Sequence, residues 1–230
     1  MAVTPPPPPA ARELFGCKLE QIQIYAQLLA GAGVERGLIG PAEMERLWDR
    51  HLLNSGVVAE LVPRSHEPVK LADLGSGAGL PGLVLAIMLP AMGVILVEPM
   101  ERRTRFLLEC VAELGLGNVE VRRARAEDLA GEIQADVVTA RAVTTLRRLA
   151  VLASGLARPG GLVLAIKGAN AAQEVDRALP VLRELRVSGT EVVTAGVGLL
   201  ERPTTVVRFW TGVDREPRRK RQRSRGRETG

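Results

Sequence analysis

Asp73-Leu74-Gly75-Ser76-Gly77-Ala78-Gly79-Leu80-Pro81-Gly82 is the stretch whose reading decides the fold. It follows the apolar run Val69–Leu74 and leads into a second apolar segment, so it joins a strand to a helix. Glycines let the backbone approach a ligand closely and turn through positive φ, and a helix N-terminus favours anionic groups. Pro81 suits the first helical turn, where a missing N–H costs nothing. The loop alone leaves several readings open. Gly77-Ala78-Gly79-Leu80-Pro81-Gly82 satisfies the G-x-G-x-x-G pattern of dinucleotide folds, other nucleotide-like cofactors use similar loops, and a structural turn with no ligand is the third reading.

Downstream, strand-like and helix-like stretches alternate. Strands are predicted at 93–98, 119–123, 135–140 and 161–166, and helices at 81–89, 101–114, 144–157 and 171–186. Such alternation implies right-handed crossovers and a doubly wound, mostly parallel sheet covered on both faces. The runs 187–194 and 203–211 then predict a closing antiparallel hairpin. Upstream, the apolar spacing from Ala10 to Ala30 predicts a helix ended by Gly31 and Gly33. Pro41 opens a second helix with Met44, Trp48, His51 and Ser55 on one face. The expected organisation is a disordered or extended Pro-rich lead at 1–9, a helical cap at 10–64, the main domain at 65–212 and a disordered basic tail at 213–230.

Composition narrows the function. The 230 residues accommodate one α/β domain with an accessory element, and 46% apolar with 25% charged suffices for a full core. Aromatics make up only 3%, which excludes an RNA surface built on rows of stacking rings. Cys17 and Cys110 have no partner spacing, so neither a disulfide framework nor a metal site is expected, and a reducing cytoplasm fits. No apolar run reaches the ~18 residues that span a bilayer, and MAVTPPPPPA lacks the segments of a signal peptide. The net charge of +5 resides in residues 214–229, where eight basic residues face three acids, leaving residues 1–213 formally neutral. With 27 arginines against 4 lysines, a single arginine signals little by itself.

Three features beyond the loop decide its ligand. An acid, Asp73, leads glycines at 75, 77 and 79, and this D-x-G-x-G-x-G order is the S-adenosylmethionine form. The second strand ends in Glu98, where a carboxylate can accept both ribose hydroxyls; dehydrogenases place an acid there too. After the third strand comes Arg125-Ala126-Glu127-Asp128, where such methyltransferases bind adenine. Acids at a helix start also serve its dipole, so the order of the three features carries the reading.

The segments Arg50-His51-Leu52-Leu53-Asn54-Ser55, Asp73 to Gly82, Glu101-Arg102-Arg103-Thr104-Arg105-Phe106-Leu107, Arg125 to Asp128, Thr139-Ala140-Arg141-Ala142 and Ala165-Ile166-Lys167-Gly168 follow one another at compatible spacing. Together they resemble the RsmG (GidB) family over about residues 35–210. The resemblance implies a Rossmann-like class I methyltransferase making 7-methylguanosine in a decoding-region loop of 16S ribosomal RNA. Its expected partner is 16S rRNA or the small ribosomal subunit, with no membrane; the sequence leaves the oligomeric state open, with a monomer favoured. It implies further that Gly75 and Leu80 line the cofactor, that Gly77 and Gly79 shape the loop, and that Ala126 and Glu127 hold the adenine end. Arg141 would sit beside the cofactor at the acceptor site. The chain departs from the family at Asn54, where Asp is usual, at Gly37-Leu38-Ile39, where Asn-Leu-Thr is usual, and at Arg202-Pro203, where Arg-His is usual. The basic tail is an addition.

The residues agree with that chemistry. Guanine N7 carries a free in-plane lone pair and no proton, so no general base is needed, and rate must come from positioning and charge placement. The fourth strand ends in Thr139-Ala140-Arg141-Ala142 in place of the N-P-P-Y or D-P-P-Y of amino-methylating enzymes, and neither cysteine follows a proline as a covalent nucleophile would. Arg141 is the expected positioning residue, since strand ends at the carboxyl edge face the ligand crevice and a guanidinium can hold a carboxylate, a phosphate or guanine O6. His51, Arg102, Arg103 and Lys167 are the RNA-facing candidates; a half-buried histidine, a solvated helix face and a structural lysine explain them equally. A methyltransferase of another RNA, a small molecule or a protein stays open, as does an NAD-dependent oxidoreductase.

Overall fold

A computed structural model describes residues 4–65 and 67–212. The basic tail lies outside the described residues. The chain opens with α1 (Pro9–Phe15) and α2 (Leu19–Leu28), separated by a 3₁₀ turn, Gly16–Lys18. The predicted single helix over 10–30 is therefore broken, because Gly16 caps α1 at φ +48°, outside the helical region. A wider π-helical turn, Leu29–Gly33, ends this arm. Within the lead expected over 1–9, residues 4–8 carry no helix or strand, Pro9 begins α1, and the Pro5 carbonyl accepts a 2.8 Å hydrogen bond from the Trp48 indole.

The second helical segment changes pitch along its length. It runs as a 3₁₀ stretch (Pro41–Arg46), a π stretch (Leu47–Leu53), α3 (Asn54–Gly56) and a second 3₁₀ stretch (Val57–Leu61). Trp48, His51 and Ser55 are all buried.

The main domain follows as β1 (Lys70–Leu74), α4 (Gly82–Met88), β2 (Gly93–Val97), α5 (Glu101–Glu113), β3 (Val119–Arg122), β4 (Ala135–Arg141), α6 (Leu146–Leu156), β5 (Ala157–Lys167), α7 (Ala171–Glu184), β6 (Ser188–Ala195) and β7 (Thr204–Trp210). The seven strands lie in the order β3-β2-β1-β4-β5-β7-β6. The first five are parallel, and β7 is antiparallel to both β5 and β6, as the closing hairpin requires. β5 starts four residues before its predicted beginning, because Ala157 still pairs with Ala135 across a register shift in β4. No helix among the described residues is long and apolar enough to cross a membrane.

Strand alternation divides the core between the two faces of the sheet. Leu71, Val137, Leu164 and Val206 pack with α1, α2, α4, α5 and the second helical segment in one cluster. Ala72, Val138, Ala165 and Val207 pack with α6 and α7 in the other. The N-terminal helices thus share a core with the sheet. Between β1 and β4 the chain switches from one face to the other, and at such a point the loops leaving the strands part to form a crevice.

Candidate active site

Parity fixes which side chains meet at that crevice. Asp73 pairs in register with Thr139, and Arg141 follows two residues later on the same face of β4, the face covered by the N-terminal helices. Thr139 donates to Asp73 Oδ1 at 2.9 Å, and the Gly82 N–H donates to Oδ2 at 3.1 Å. Asp73 is fully buried, and burial pushes its carboxyl up to about 6. It ties the loop to the sheet and does not line the cleft.

The loop wraps the carboxyl end of β1. The N–H groups of Gly75 and Ser76 donate to the Val97 carbonyl at 2.9 and 3.1 Å, and the Gly77 N–H donates to Glu98 Oε2 at 3.0 Å. Gly75 adopts φ +70°, and a Cβ there would lie 2.8 Å from Val143 Cγ2. At Gly82 a Cβ would lie 2.4 Å from Leu96 Cδ2 and 2.6 Å from Asp73 Oδ2, so only glycine lets α4 settle this close to β1 and β2.

A cleft of about 390 Å³ results. Among the residues predicted for the site, His51, Gly75, Gly77, Leu80, Glu98, Arg103 and Arg141 line it together. Glu98 accepts from the backbone N–H groups of Gly77 and Met100, one on each oxygen and both at 3.0 Å, while Arg103 Nη1 stands 3.6 Å from Oε2. Each carboxylate oxygen keeps a further lone pair, as a ribose diol would need.

Arg141 is mostly buried, and burial lowers its pKa from the usual arginine range. Nη1 reaches the His51 carbonyl at 3.4 Å and Ser55 Oγ at 3.3 Å, and Nη2 lies 2.8 Å from His51 Nδ1. These partners are neutral, and among the described residues no carboxylate pairs with the guanidinium. A buried cation so placed lacks a counter-charge that a ligand can supply.

Other predicted residues stand apart. Gly79 sits behind the loop, where a Cβ would meet Leu83 and the Tyr25 hydroxyl. Ala126 and Glu127 begin the 3₁₀ turn Ala126–Leu129, beside β3 but outside the cleft wall, and the Glu127 carboxylate pairs with Arg148 at 3.1 Å. Arg102 is exposed on the first turn of α5. Lys167 is corrected as an RNA-facing residue. Arg141 pairs with Ile166, so Lys167 points to the opposite face, where Nζ bonds Glu174 Oε2 at 2.8 Å and the Thr144 carbonyl at 2.9 Å. Only 8% of its side chain is exposed. Asn54, one of the family departures, also lies outside the cleft: its Nδ2 donates to Thr204 Oγ1 at 2.8 Å.

Sequence reasoning missed part of the wall. Leu38 and Ile39 arrive from the connection between the two helical segments, and Val143 from the loop after β4. No periodic pattern marks them, and the only signal for Leu38 and Ile39 is their place in a segment where the chain departs from the family. Pro99 and Met100 follow Glu98 directly, and that adjacency was the available signal.

The wall fits S-adenosylmethionine: a glycine cradle that Cβ atoms would fill, a buried carboxylate after β2 and a buried guanidinium that no carboxylate pairs among the described residues. Fold and site together define a class I S-adenosylmethionine-dependent methyltransferase. Solved structures with this architecture include an S-adenosylmethionine-dependent O-methyltransferase from Thermotoga maritima, with TM-score 0.51 and 20% identity, covering 71% of this chain and 66% of that one. An S-adenosylmethionine-dependent methyltransferase from Aquifex aeolicus matches with TM-score 0.51 and 18% identity, covering 75% and 98% of the two chains. At these identities the likeness speaks for the fold. The family model described as rRNA small subunit methyltransferase G, GidB, matches residues 18–197. Proteins named ribosomal RNA small subunit methyltransferase G are 48% identical over 227 residues in Thermobifida fusca, covering 96% of this chain and 94% of that protein. In Pseudarthrobacter chlorophenolicus the figure is 50% over 200 residues, covering 87% and 91%. The chain belongs to the rRNA small subunit methyltransferase G (GidB) family. The chain is accordingly a methyltransferase of small-subunit ribosomal RNA, with S-adenosylmethionine as the methyl donor. The oxidoreductase reading of G-x-G-x-x-G falls.

Proposed function

We propose that the cleft between the glycine loop, Glu98 and Arg141 is where the methyl group passes to a guanosine N7, and that Arg141 positions the reactants. The observation that carries this is the buried guanidinium of Arg141, which lines the cleft and pairs with no carboxylate among the described residues. Gly75, Gly77 and Leu80 would cradle the methionine end, Glu98 would accept the ribose hydroxyls, and the adenine end would extend toward Ala126 and Glu127. S-adenosylmethionine, when bound, supplies a methyl group activated on sulfonium. The chain's own residues then orient and exclude water; none needs to take a proton. This agrees with the wall, where His51 already serves Arg141 and Glu98 already serves two backbone N–H groups. Arg103 at the wall, with exposed Arg102 beside it in sequence, would meet RNA phosphates, which add affinity without selecting the nucleotide. The enzyme would act in the cytoplasm, as a monomer, on 16S rRNA or the small subunit.

The test is transfer of labelled methyl to 16S rRNA, both naked and in the small subunit, with the product nucleoside identified. The expected product is 7-methylguanosine. Arg141→Ala should cut the rate about a hundredfold, the order expected when positioning is lost, and Arg141→Lys should recover little, since an ammonium lacks the planar fork. Another product would overturn the acceptor assignment, and an Arg141→Ala enzyme at near-normal rate would remove that residue from the site.

A further inference from the structure

His51 stands between two partners. Its Nε2 lies 2.9 Å from Glu43 Oε2, and its Nδ1 lies 2.8 Å from Arg141 Nη2. A guanidinium has donors only, so Nδ1 must present its lone pair. A carboxylate accepts only, so Nε2 must carry the proton. Both contacts therefore select the same neutral tautomer, and the side chain is only 11% exposed. A proton on Nδ1 would instead set an N–H against an N–H.

The contacts also divide the guanidinium. His51 Nδ1, the His51 carbonyl and Ser55 Oγ together engage the Nη1–Nη2 end, all from one stretch of the second helical segment. The other edge, formed by Nε and the second Nη2 hydrogen, has no partner among the described residues, and the side chain lines the cleft. Two parallel donors on a fixed plane suit a bidentate oxygen acceptor.

We propose that His51 is a positioning residue, held as the Nε2–H tautomer by Glu43, which clamps one end of Arg141 so that the Nε–Nη2 edge is presented to the cleft as a fixed bidentate donor. The acceptor it suits is an oxygen group with two lone pairs to offer, either the carboxylate of the cofactor's methionine or guanine O6, whose neighbouring N7 lone pair is kept for the methyl group. This rests on the reading of the cleft as the methyl-transfer site. The charged groups facing His51 are Glu43 from the preceding 3₁₀ stretch, Arg50 on its own segment and Arg141 from β4. Burial first, then Arg141, lower its pKa against the opposing pull of Glu43, which keeps the ring neutral where Nδ1 must accept.

The test separates the two nitrogens. His51→Asn keeps an oxygen near the Nδ1 position and loses Glu43; His51→Gln reaches toward Glu43 and loses Arg141. In single-turnover transfer to rRNA, His51→Gln should slow the reaction by roughly tenfold or more, and His51→Asn should recover most of that loss. If the cofactor carboxylate is the acceptor, His51→Gln should also weaken S-adenosylhomocysteine binding; if guanine O6 is, that affinity should hold while the rate falls. Nitrogen-15 spectra of histidine-labelled protein should show Nδ1 bare and Nε2 protonated, and Glu43→Ala should mix the tautomers. Equal rates for the Asn and Gln variants, or a proton on Nδ1 in the unmodified protein, would overturn the proposal. The spectra decide this even for a His51 variant that fails to fold. If the unmodified enzyme transfers no methyl group to rRNA, the proposed function fails while the spectra still decide the clamp.

Discussion

The Tyr25 hydroxyl donates to the Ala78 carbonyl at 2.7 Å, across 53 positions of sequence. The bond pins the middle of the glycine loop to α2, so a helix outside the alternating domain helps to shape the cofactor cleft. Burial raises the phenol's pKa well above its usual value, and the group remains a donor at any working pH.

Tyr25→Phe removes that bond and little else. The expected cost is about 1 kcal/mol, or a Tm lower by roughly 2–4 °C for a chain of this size. S-adenosylhomocysteine affinity should fall several-fold as the loop loosens. Thermal melts with and without ligand check both, and an unchanged Tm with unchanged affinity would show that the loop holds its shape alone.

Asp73 predicts a particular pH dependence. Its carboxyl titrates at about 6 in the fold against an ordinary 3.8, because burial disfavours the charge. The folded state therefore holds the proton more tightly. The stability from this group is fully present below about pH 4 and is lost as pH rises through 6. Asp73→Asn can keep both bonds, accepting from Gly82 and donating to Thr139. Relative to the unmodified protein, it should therefore be more favourable at pH 7.5 than at pH 4.5 by about 2 kcal/mol. Urea melts at the two pH values measure this, and the opposite sign would mean that the carboxylate is stabilised where it lies.

Gly75→Ala should lose S-adenosylhomocysteine affinity by at least roughly tenfold, on two grounds. The φ of +70° disfavours any Cβ, and that Cβ would lie 2.8 Å from Val143 Cγ2. Removing Val143 Cγ atoms relieves the second ground and leaves the first, at about 1–2 kcal/mol. Gly75→Ala combined with Val143→Ala should thus recover part of the affinity by calorimetry; full affinity in the single variant would show that neither ground matters.

Lys167→Met tests the placement of that lysine on the α7 face of the sheet. Its loss leaves Glu174 without its mostly buried ion-pair partner, so the protein should be less stable by roughly 1–3 kcal/mol in urea melts. The salt dependence of RNA binding should not change, because a lysine that meets no phosphate releases no counterion. A shallower salt slope would restore Lys167 to the RNA surface.

What the sequence made legible was what lies close in the chain or at the end of a strand. Asp73 to Gly82, Glu98 and Arg141 each lie at the end of a strand that could be read, and the fold brings all three stretches to one edge. Lys167 misled because it also ends a strand: the face it takes depends on pairing Arg141 with Ile166, which composition does not encode. His51 was visible as part of a helix face, yet its partner Glu43 stands eight residues away across a change of helical pitch that no standard periodicity anticipates. Leu38, Ile39 and Val143 belong to irregular connections, and their arrival at the cleft is a product of packing.

The bond between Asn54 and Thr204 spans 150 positions, and Thr204 Oγ1 returns a 3.1 Å bond to the Asn54 carbonyl. It fastens the helical segment that carries His51 and Ser55 to the first residue of the last strand. During translation, therefore, a nascent chain that has already made Arg141 still lacks the anchor for the helix that orients it. A polypeptide stalled before Thr204 would lack both bonds that hold Asn54, and with them this tie on the segment that carries His51 and Ser55.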